Sequence, residues 1–408
     1  MSKKQQTAII GGGAAGFFCA INLKEMCPQM GVTIFEGGTR LLRKVKVSGG
    51  GRCNCTNTFE QVTDLSQVYP RGHRLLKRLF NVFDYRDAYR WFEQHGVALT
   101  VQDDHCVFPQ AQDSQVIINC FLSEARRHGV EIRTGHKVNN LEELSDFDYV
   151  VVTTGGITSP STLHLPPSPL HLPPSTLHLP PSTQPCPSLF TFRIADEALT
   201  ALMGTVVEPA QVMLPGTKMR AEGPLLITHW GMSGPAILRL SSYGARLLAD
   251  CGYQHPLSVN WTCLREQEVA DELGRLTVEA AQKQLPNVRP FGLPTRLWEY
   301  LLQKSLQGRA HAPWGSLNRK ELNRLQNVLT NDQYLIAGRA PFKDEFVTCG
   351  GVDLSAVYPQ TLESKERSRL YFAGEVLDID GVTGGFNFQA AWTTAYVVAQ
   401  AITKSTQV

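Results

Sequence analysis

Two glycine clusters near the amino terminus carry the clearest chemical signal in the chain. The first, "GGGAAG" (11–16), has the spacing Gly-x-Gly-x-x-Gly, and the second, "SGGG" (48–51), follows a cationic run and precedes "RCNCTN". Glycines let backbone amides approach a phosphate closely, and cations neutralise its charge. The clusters therefore indicate a phosphorylated ligand. Three alternatives stay open at this point: one nucleotide held at two places, two nucleotides, or one nucleotide and a plain loop.

The first cluster lies between a predicted strand and a predicted helix. The apolar run at 7–10 predicts a buried strand, residues 14–26 predict a helix, and "VTIFE" (32–36) predicts the next strand. This βαβ unit is typical of dinucleotide binding, because its glycine turn admits a pyrophosphate and the amino end of the helix offers unpaired N–H groups. The residues predicted to hold this part of the ligand are Gly11, Gly13, Ala14, Ala15, Gly16 and Glu36.

Glu36 and the later glycines narrow the choice of dinucleotide. The Glu36 carboxylate can accept hydrogen bonds from ribose hydroxyls and disfavours a 2′-phosphate, but the fingerprint itself serves NAD and FAD alike. The stretches "VVVTTGG" (150–156) and "YFAGEVLDIDGVTGGFN" (371–387) favour FAD, since each brings glycines to a predicted strand end. A helix after Gly384 and Gly385 would direct its positive end at the isoalloxazine of reduced flavin. The plain alternative for Gly384 and Gly385 is a loop.

Linked motifs over nearly the whole chain resemble the HI0933-like flavoproteins, also called the BaiN or aminoacetone oxidase family. The motifs are "IIGGGAAG" (9–16), "RKVKVSGGGRCNCTN" (43–57), "CVFPQA" (106–111), "TTGG" (153–156), residues 219–236, "TCGGV" (348–352) and "YFAGEVLDIDGVTGGFNFQAAW" (371–392). The resemblance implies a fold related to glutathione reductase. It also implies that both glycine clusters hold a single FAD, at different points along its length.

The resemblance implies a loop along the FAD pyrophosphate and flavin. Its residues are Arg43, Lys44, Ser48, Gly49, Gly50, Gly51, Arg52, Cys53 and Asn54. Cations there would neutralise the diphosphate, and Asn54 would bond a ring edge, whereas Cys53 either touches the flavin or only packs. The further residues expected at the cofactor are Val138, Thr154, Gly155, Gly156, Gly374, Glu375, Asp380, Gly384, Gly385, Phe386 and Asn387.

The expected fold class is α/β, with a Rossmann-like FAD-binding domain of the glutathione-reductase type interrupted by an insertion. We expect the FAD-binding domain at 1–190 and 346–408, an inserted β-rich domain at 191–264 and an inserted helical subdomain at 265–345. Within the first domain, helical stretches are expected near 73–95 and 114–127. A low-complexity loop is expected at 158–186. It contains the repeat "STLHLPP", "SPLHLPP", "STLHLPP" (161–181), whose paired prolines favour extended chain.

No metal site is expected from the sequence. His164, His171 and His178 of the repeat would lie far apart along an extended chain, and the pair Cys53 and Cys55 is followed by no second close pair. The ten cysteines show no disulfide framework, and 39 basic against 37 acidic side chains give no overall attraction to nucleic acid or anionic membrane. With no signal core and no long apolar run, a cytoplasmic protein without membrane or nucleic-acid partners is expected.

The sequence predicts an FAD-dependent oxidoreductase that oxidises or reduces a small organic substrate by hydride transfer at flavin N5. No second strand–glycine–helix fingerprint accompanies the first, so no dedicated NAD(P) domain is expected. His229 in "THWGMSGP" (228–235) is a candidate base or polar anchor, with a packed turn residue as the alternative. The rival function is a non-catalytic flavin-binding sensor or partner-binding protein.

Overall fold

The computed structural model describes residues 4–156, 182–340 and 347–406. The chain divides into two compact units, Met1–Pro187 with Phe346–Val408, and Ser188–Glu345. Within the described ranges, no helix combines the length and hydropathy needed to cross a membrane. The heptad repeat at 161–181 lies outside the described residues, and so do the predictions made for it.

Both units contain helices and strands. The first part of the first unit contains β1 (Gln6–Ile10), α1 (Ala14–Met26), β2 (Gly31–Glu36), α2 (Arg43–Gly51), β3 (Thr56–Asn57), α3 (His73–Leu79), α4 (Tyr85–Gln94), β4 (Leu99–Val101), β5 (Cys106–Pro109), α5 (Ser114–Arg127), β6 (Glu131–Thr134), β7 (Tyr149–Val152) and β8 (Ser182–Ser188). The second unit contains β9 (Phe192–Ile194), α6 (Glu197–Thr200), β10 (Val206–Met213), β11 (Arg220–Thr228), β12 (Gly231–Ser233), α7 (Pro235–Tyr243), α8 (Ala245–Asp250), β13 (Gln254–Asn260), α9 (Glu266–Glu279), α10 (Thr295–Leu306), α11 (Arg319–Thr330) and β14 (Asp332–Arg339). The first unit ends with β15 (Val347–Val352), β16 (Leu370–Phe372) and α12 (Phe386–Thr406).

A five-stranded parallel sheet forms the centre of the first unit. Its strand order is β16-β7-β1-β2-β6, and Thr7 of β1 pairs with Val32 on one side and Tyr149 on the other. Every residue of β7 is buried, as expected for a parallel strand covered on both faces. The predicted α/β fold class is confirmed. In such sheets, ligands bind at the carboxyl ends of the strands, and the first glycine cluster follows the carboxyl end of β1.

Two expectations for the first unit are corrected by the structure. The helical stretch expected near 73–95 is two helices, because Asp84 accepts hydrogen bonds from the N–H groups of Arg86 and Asp87 and so starts a new one. The loop expected at 43–54 begins as helix α2, which breaks at Ser48.

The loop expected at 158–186 ends inside a strand. β8 pairs with β15, and the hydroxyl Oγ1 of Thr183 accepts a hydrogen bond from Gly351 N at 3.2 Å. Gly350 permits this close approach, since a Cβ there would lie 2.7 Å from the carbonyl oxygen of Gln184. Pro185 is tolerated because the sheet has only two strands, so each is an edge strand.

The second unit contains a closed antiparallel barrel. Its strand order is β10-β11-β12-β9-β14-β13, and β14 lies in the range expected to be a helical subdomain. Val259 of the barrel, Leu273 of α9 and Leu301 of α10 belong to one buried apolar cluster. Barrel and helices therefore form one body, because the helices cover the apolar surface of the barrel.

Candidate functional site

The carboxyl ends of β1 and β7 meet the start of α1. Thr153, just after β7, donates from its hydroxyl to the carbonyl oxygens of Ile10 and Gly11, both at 3.0 Å. A Cβ on Gly11 would lie 2.4 Å from the carbonyl oxygen of Thr153, and one on Gly16 would lie 2.0 Å from that of Gly11. Gly11 also has a φ of +116°, which other residues rarely adopt. Packing therefore requires both glycines, and backbone conformation is a second reason for glycine at Gly11.

Gly13 has a different environment from its neighbours in the cluster. A Cβ there would meet no described atom within 4 Å. Gly13 is the N-cap of α1, and no side-chain hydrogen bond caps the N–H groups of the first turn. The amino end of a helix attracts anions through these groups and through its dipole. Gly13 therefore leaves room for a phosphate at the amino end of α1, where the backbone can bind it.

Glu36 is held beside the first cluster by two backbone amides. Its Oε2 accepts from Gly12 N at 2.8 Å, and its Oε1 accepts from Gly38 N at 2.7 Å. Each oxygen keeps a further lone pair, so the carboxylate is fixed in place and can still accept from ribose hydroxyls. The chain then returns to the cluster, since Leu42 N donates to the carbonyl oxygen of Gly12 at 2.9 Å.

The second cluster is a run of left-handed glycines. Ser48 leaves the helical conformation, and Gly49, Gly50 and Gly51 have φ values of +56°, +68° and +87°. A Cβ on Gly49 would lie 2.9 Å from the Phe108 ring, whereas one on Gly50 or Gly51 would meet no described atom within 4 Å. Backbone conformation, rather than packing, requires glycine at 50 and 51, and it leaves their peptide groups open to a ligand.

Asn54 joins the second cluster to the start of α12. With the amide oriented so that its nitrogen faces acceptors and its oxygen faces a donor, it donates to the carbonyl oxygen of Thr56 at 2.8 Å and accepts from Gly385 N at 3.2 Å. Gly385 is pressed against the same backbone, since a Cβ there would lie 2.2 Å from the Thr56 carbonyl oxygen. Asn57 donates from Nδ2 to the carbonyl oxygen of Gly384 at 3.1 Å. Asn54 thus positions the helix that was expected to face the flavin.

Glu375 joins three further parts of the predicted site. Its Oε2 lies 2.5 Å from Lys44 Nζ, and its Oε1 accepts from Thr348 N at 2.9 Å. Gly156 lies against the side chain of Thr348, because a Cβ on Gly156 would be 2.1 Å from Thr348 Oγ1. The adjacent Gly374 leaves room for α1, since its Cβ would lie 2.7 Å from that of Ala15. The positive charge of Lys44 is therefore already paired with a carboxylate.

Several predicted cofactor residues make contacts within the protein. Asp380 is fully buried and forms a two-pronged ion pair with Arg71. Asn387 accepts from Gly381 N at 2.8 Å and donates to the carbonyl oxygen of the same residue at 2.9 Å. Three further predicted residues, Cys53, Val138 and Phe386, are buried, whereas Thr154 is exposed. Gly155 has a φ of +76°. The guanidinium of Arg52 stacks 4.3 Å from the centre of the Phe108 ring.

Sequence reasoning missed Arg71, Thr153 and Thr348. Thr153 lies inside the "TTGG" motif, where nothing in the sequence distinguishes it from its neighbours. Arg71 has no local signal, because its partner Asp380 comes 309 residues later in the chain. Thr348 opens "TCGGV", whose one signal is its place in the family pattern.

The close thiol pair is buried. Cys53 and Cys55 are both fully buried with their sulfurs 3.9 Å apart. Burial, with a further contribution from Cys53, raises the pKa of the Cys55 thiol well above its usual range. Burial likewise raises the pKa of Cys106 to about 11. Since only a thiolate is a good nucleophile, Cys55 and Cys106 are poorly reactive at neutral pH.

We expect thiol labelling to follow this pattern. Iodoacetamide at pH 7.5 should modify the exposed Cys251 first, while Cys55 and Cys106 react only after unfolding. Peptide mass spectrometry over a time course measures the order. A C251S variant is the control, because it should remove the fast phase. Early labelling of Cys55 in the folded protein would contradict the assignment.

His229 lies in the second unit, in the turn between β11 and β12. The side chain is exposed, and its ring centre lies 4.8 Å from that of Trp230. Trp230 N donates to Thr228 Oγ1 at 3.3 Å, which shapes the turn. The ring therefore remains accessible to a ligand of this unit.

The chain is similar to several known proteins. The model of the HI0933-like protein Rossmann domain matches residues 5–401. A ribosomal RNA dihydrouridine synthase of Haemophilus influenzae is 29% identical, with 99% of this chain and 100% of that protein covered. A 3-dehydro-bile acid delta(4,6)-reductase of Clostridium scindens is 27% identical, with 96% and 98% covered. The solved 3-ketosteroid delta1-dehydrogenase of Sterolibacterium denitrificans has a TM-score of 0.45 and 10% identity, with 98% and 99% covered.

Proposed function

This chain belongs to the HI0933-like family of Rossmann-fold flavoproteins, and we propose that it is an FAD-dependent oxidoreductase acting on a small organic substrate. One observation carries the proposal. Two helix amino ends and the left-handed run at Gly49–Gly51 belong to one unit, and Asn54 bonds the second of these helices at Gly385. This arrangement suits a long ligand with an anionic middle, as FAD has.

The residues present fit FAD along its length. The open space at Gly13 and the amino end of α1 would receive the diphosphate, and Glu36 would accept from the adenosine ribose. The left-handed glycines and the start of α12 would lie along the flavin part, where the helix dipole favours negative charge. When bound, FAD supplies hydride transfer at N5.

The side chains around this site hold the backbone rather than perform chemistry. Asn54 orients Gly385, and Glu375 holds Lys44 beside the strand end that carries Thr348. His229, whose ring is exposed, remains our candidate base or polar anchor. This division of tasks agrees with flavoenzymes in general, in which the protein supplies orientation and electrostatics.

We propose that the substrate carries a carbon–carbon double bond conjugated to a carbonyl group. The names of the two relatives support this class. Forming dihydrouridine saturates a uracil double bond next to a carbonyl, and a delta(4,6)-reductase acts on double bonds conjugated to the 3-oxo group of a 3-dehydro bile acid. In both substrates the carbonyl makes the far carbon electron-poor, so that it accepts hydride.

A uridine in ribosomal RNA is the second candidate substrate. It is favoured by the relative of that name, which aligns with 99% of this chain. The near balance of 39 basic and 37 acidic residues favours the small molecule, because RNA binding depends largely on excess positive charge.

Flavin spectroscopy tests the proposed function. We expect chemically reduced flavin on the anaerobic protein to be reoxidised by a cyclic enone but not by the matching saturated ketone, because only the enone accepts hydride. A ribosomal RNA fragment that contains uridine is the third acceptor to be tested. The variant His229→Gln should slow reoxidation without changing the flavin content. Flavin that stays reduced with every acceptor would contradict the enzyme and favour a flavin-binding sensor.

A further inference from the structure

Three helices of the first unit end at one cluster of titratable side chains. Glu25 lies in the last turn of α1, and His95 directly follows α4. Glu124 lies in the last turn of α5, which His128 follows. One ligand atom from each of Glu25, His95 and Glu124 lies within 4.8 Å of the other two. The cluster is remote from the first glycine cluster, because the 13 residues of α1 rise about 20 Å between them.

His95 presents one ring nitrogen to the two carboxylates. Its Nδ1 donates to the carbonyl oxygen of Trp91 at 2.6 Å, and its ring stacks on that indole with the centres 3.9 Å apart. Nε2 then lies 2.8 Å from Glu25 Oε1 and 4.0 Å from Glu124 Oε2. Only 8% of the side chain is exposed. Metal-binding histidines use this arrangement, in which a backbone carbonyl fixes the other ring nitrogen.

The spacing of the side-chain atoms agrees with a four-coordinate ion. Ligands about 2.0–2.1 Å from a tetrahedral Zn²⁺ lie roughly 3.3 Å from one another. His128 Nε2 lies 3.5 Å from Glu25 Oε1 and 3.7 Å from Glu124 Oε2, which completes a set of two imidazoles and two carboxylates. The four contacts between an imidazole nitrogen and a carboxylate oxygen thus range from 2.8 to 4.0 Å around that value.

The electrostatics of the cluster favour a cation. The negative ends of α1, α4 and α5 converge there, beside two carboxylates. Glu124 Oε2 is shielded from solvent and accepts no hydrogen bond within the described residues. Arg127 Nη2 forms an ion pair with this oxygen at 2.5 Å and donates to His128 Nε2 at 3.2 Å, so the guanidinium occupies the cluster, but its side chain is 61% exposed. Arg127 can therefore swing into solvent when another cation enters.

We propose that Glu25, His95, Glu124 and His128 bind one Zn²⁺-type divalent cation that joins the ends of α1, α4 and α5. Neutral imidazole and carboxylate together suit zinc. The role is structural, since the ligands lie at the far end of α1 from the proposed FAD. The sequence predicts no metal there because the ligands come from three separate helices, so that no spacing motif marks them.

The test measures Zn²⁺ binding to the full-length chain with its flavin, after dialysis against a chelator. Calorimetry should show one ion per chain, and the melting temperature should rise by several degrees at saturation. The variant His95→Asn keeps a donor for the Trp91 carbonyl but removes Nε2, and should weaken binding at least tenfold. The matched control His105→Asn alters a histidine 3.4 Å from Glu60 and should leave binding unchanged.

A second variant separates a metal site from a plain ion-pair cluster. Arg127→Gln removes the competing cation, so it should tighten Zn²⁺ binding if the site binds metal. Cobalt in place of zinc should show visible bands without the near-ultraviolet band of thiolate ligation, which excludes the cysteines as ligands. The proposal is overturned if the wild type binds no stoichiometric Zn²⁺, or if His95→Asn binds it equally well.

Discussion

The variant Gly13→Asp should lose FAD while its fold becomes slightly more stable. Gly13 is the N-cap of α1 with an extended backbone (φ −95°, ψ −167°), which suits an aspartate cap. A Cβ there meets no described atom within 4 Å, so we expect the carboxylate to occupy the space proposed for the diphosphate. Like charges about 4 Å apart repel by about 4 kcal/mol near a protein surface, which corresponds to roughly a thousandfold weaker binding. The new cap should add a few tenths of a kcal/mol to the free energy of unfolding.

Fluorescence titration of FAD and thermal denaturation of the flavin-free protein measure the two effects. Gly274→Asp is the matched control, because Gly274 lies on α9 of the second unit and also has open space around it. It adds the same charge and should leave FAD affinity unchanged. If Gly13→Asp binds FAD with wild-type affinity, the diphosphate does not lie at the amino end of α1.

The variant Asp380→Asn should strongly destabilise the first unit, whether or not FAD is bound. Asp380 is fully buried and pairs through both oxygens with Arg71, which is only 14% exposed. Removing one partner of a buried ion pair leaves the other charge uncompensated, at a cost of about 3–5 kcal/mol. For a unit of this size, that loss corresponds to roughly 10 °C in melting temperature.

Glu131→Gln is the matched control for Asp380→Asn within the same unit. Glu131 pairs with Arg133 at 2.8 Å, but the two side chains are 53% and 46% exposed. Surface pairs contribute about 0–1 kcal/mol, so the melting temperature should hardly change. Equal melting temperatures for the two variants in the flavin-free state would show that Asp380 has no structural role.

Local signals explain why parts of the fold were predictable. Residues 14–26 and 114–127 were predicted as helices and match α1 and α5. Both are apolar stretches with clear limits: Gly13 starts the first, and Asp113 caps the second by accepting from Gln115 N. The βαβ unit around the first glycine cluster was also predictable, because a glycine turn between a strand and a helix is a local pattern.

Features that depend on distant partners were not predictable. Lys44 was expected beside the diphosphate, and its ion pair with Glu375, 331 residues away, has no local signal in the sequence. β14 was placed in a helical subdomain, because its role in closing the barrel depends on pairing with β9 and β13. The cluster at His95 draws on three helices. In each case the contact joins segments that are far apart in the chain, and neither sequence indicates that the two segments pair.

The flavin content of the purified, folded chain tests the central claim most directly. We expect a yellow protein with close to one FAD per chain, which loses the flavin on mild acid treatment and takes up one equivalent again at micromolar concentration. A colourless folded protein that fails to bind added FAD at that concentration would contradict the claim that the two glycine clusters and the start of α12 hold one cofactor.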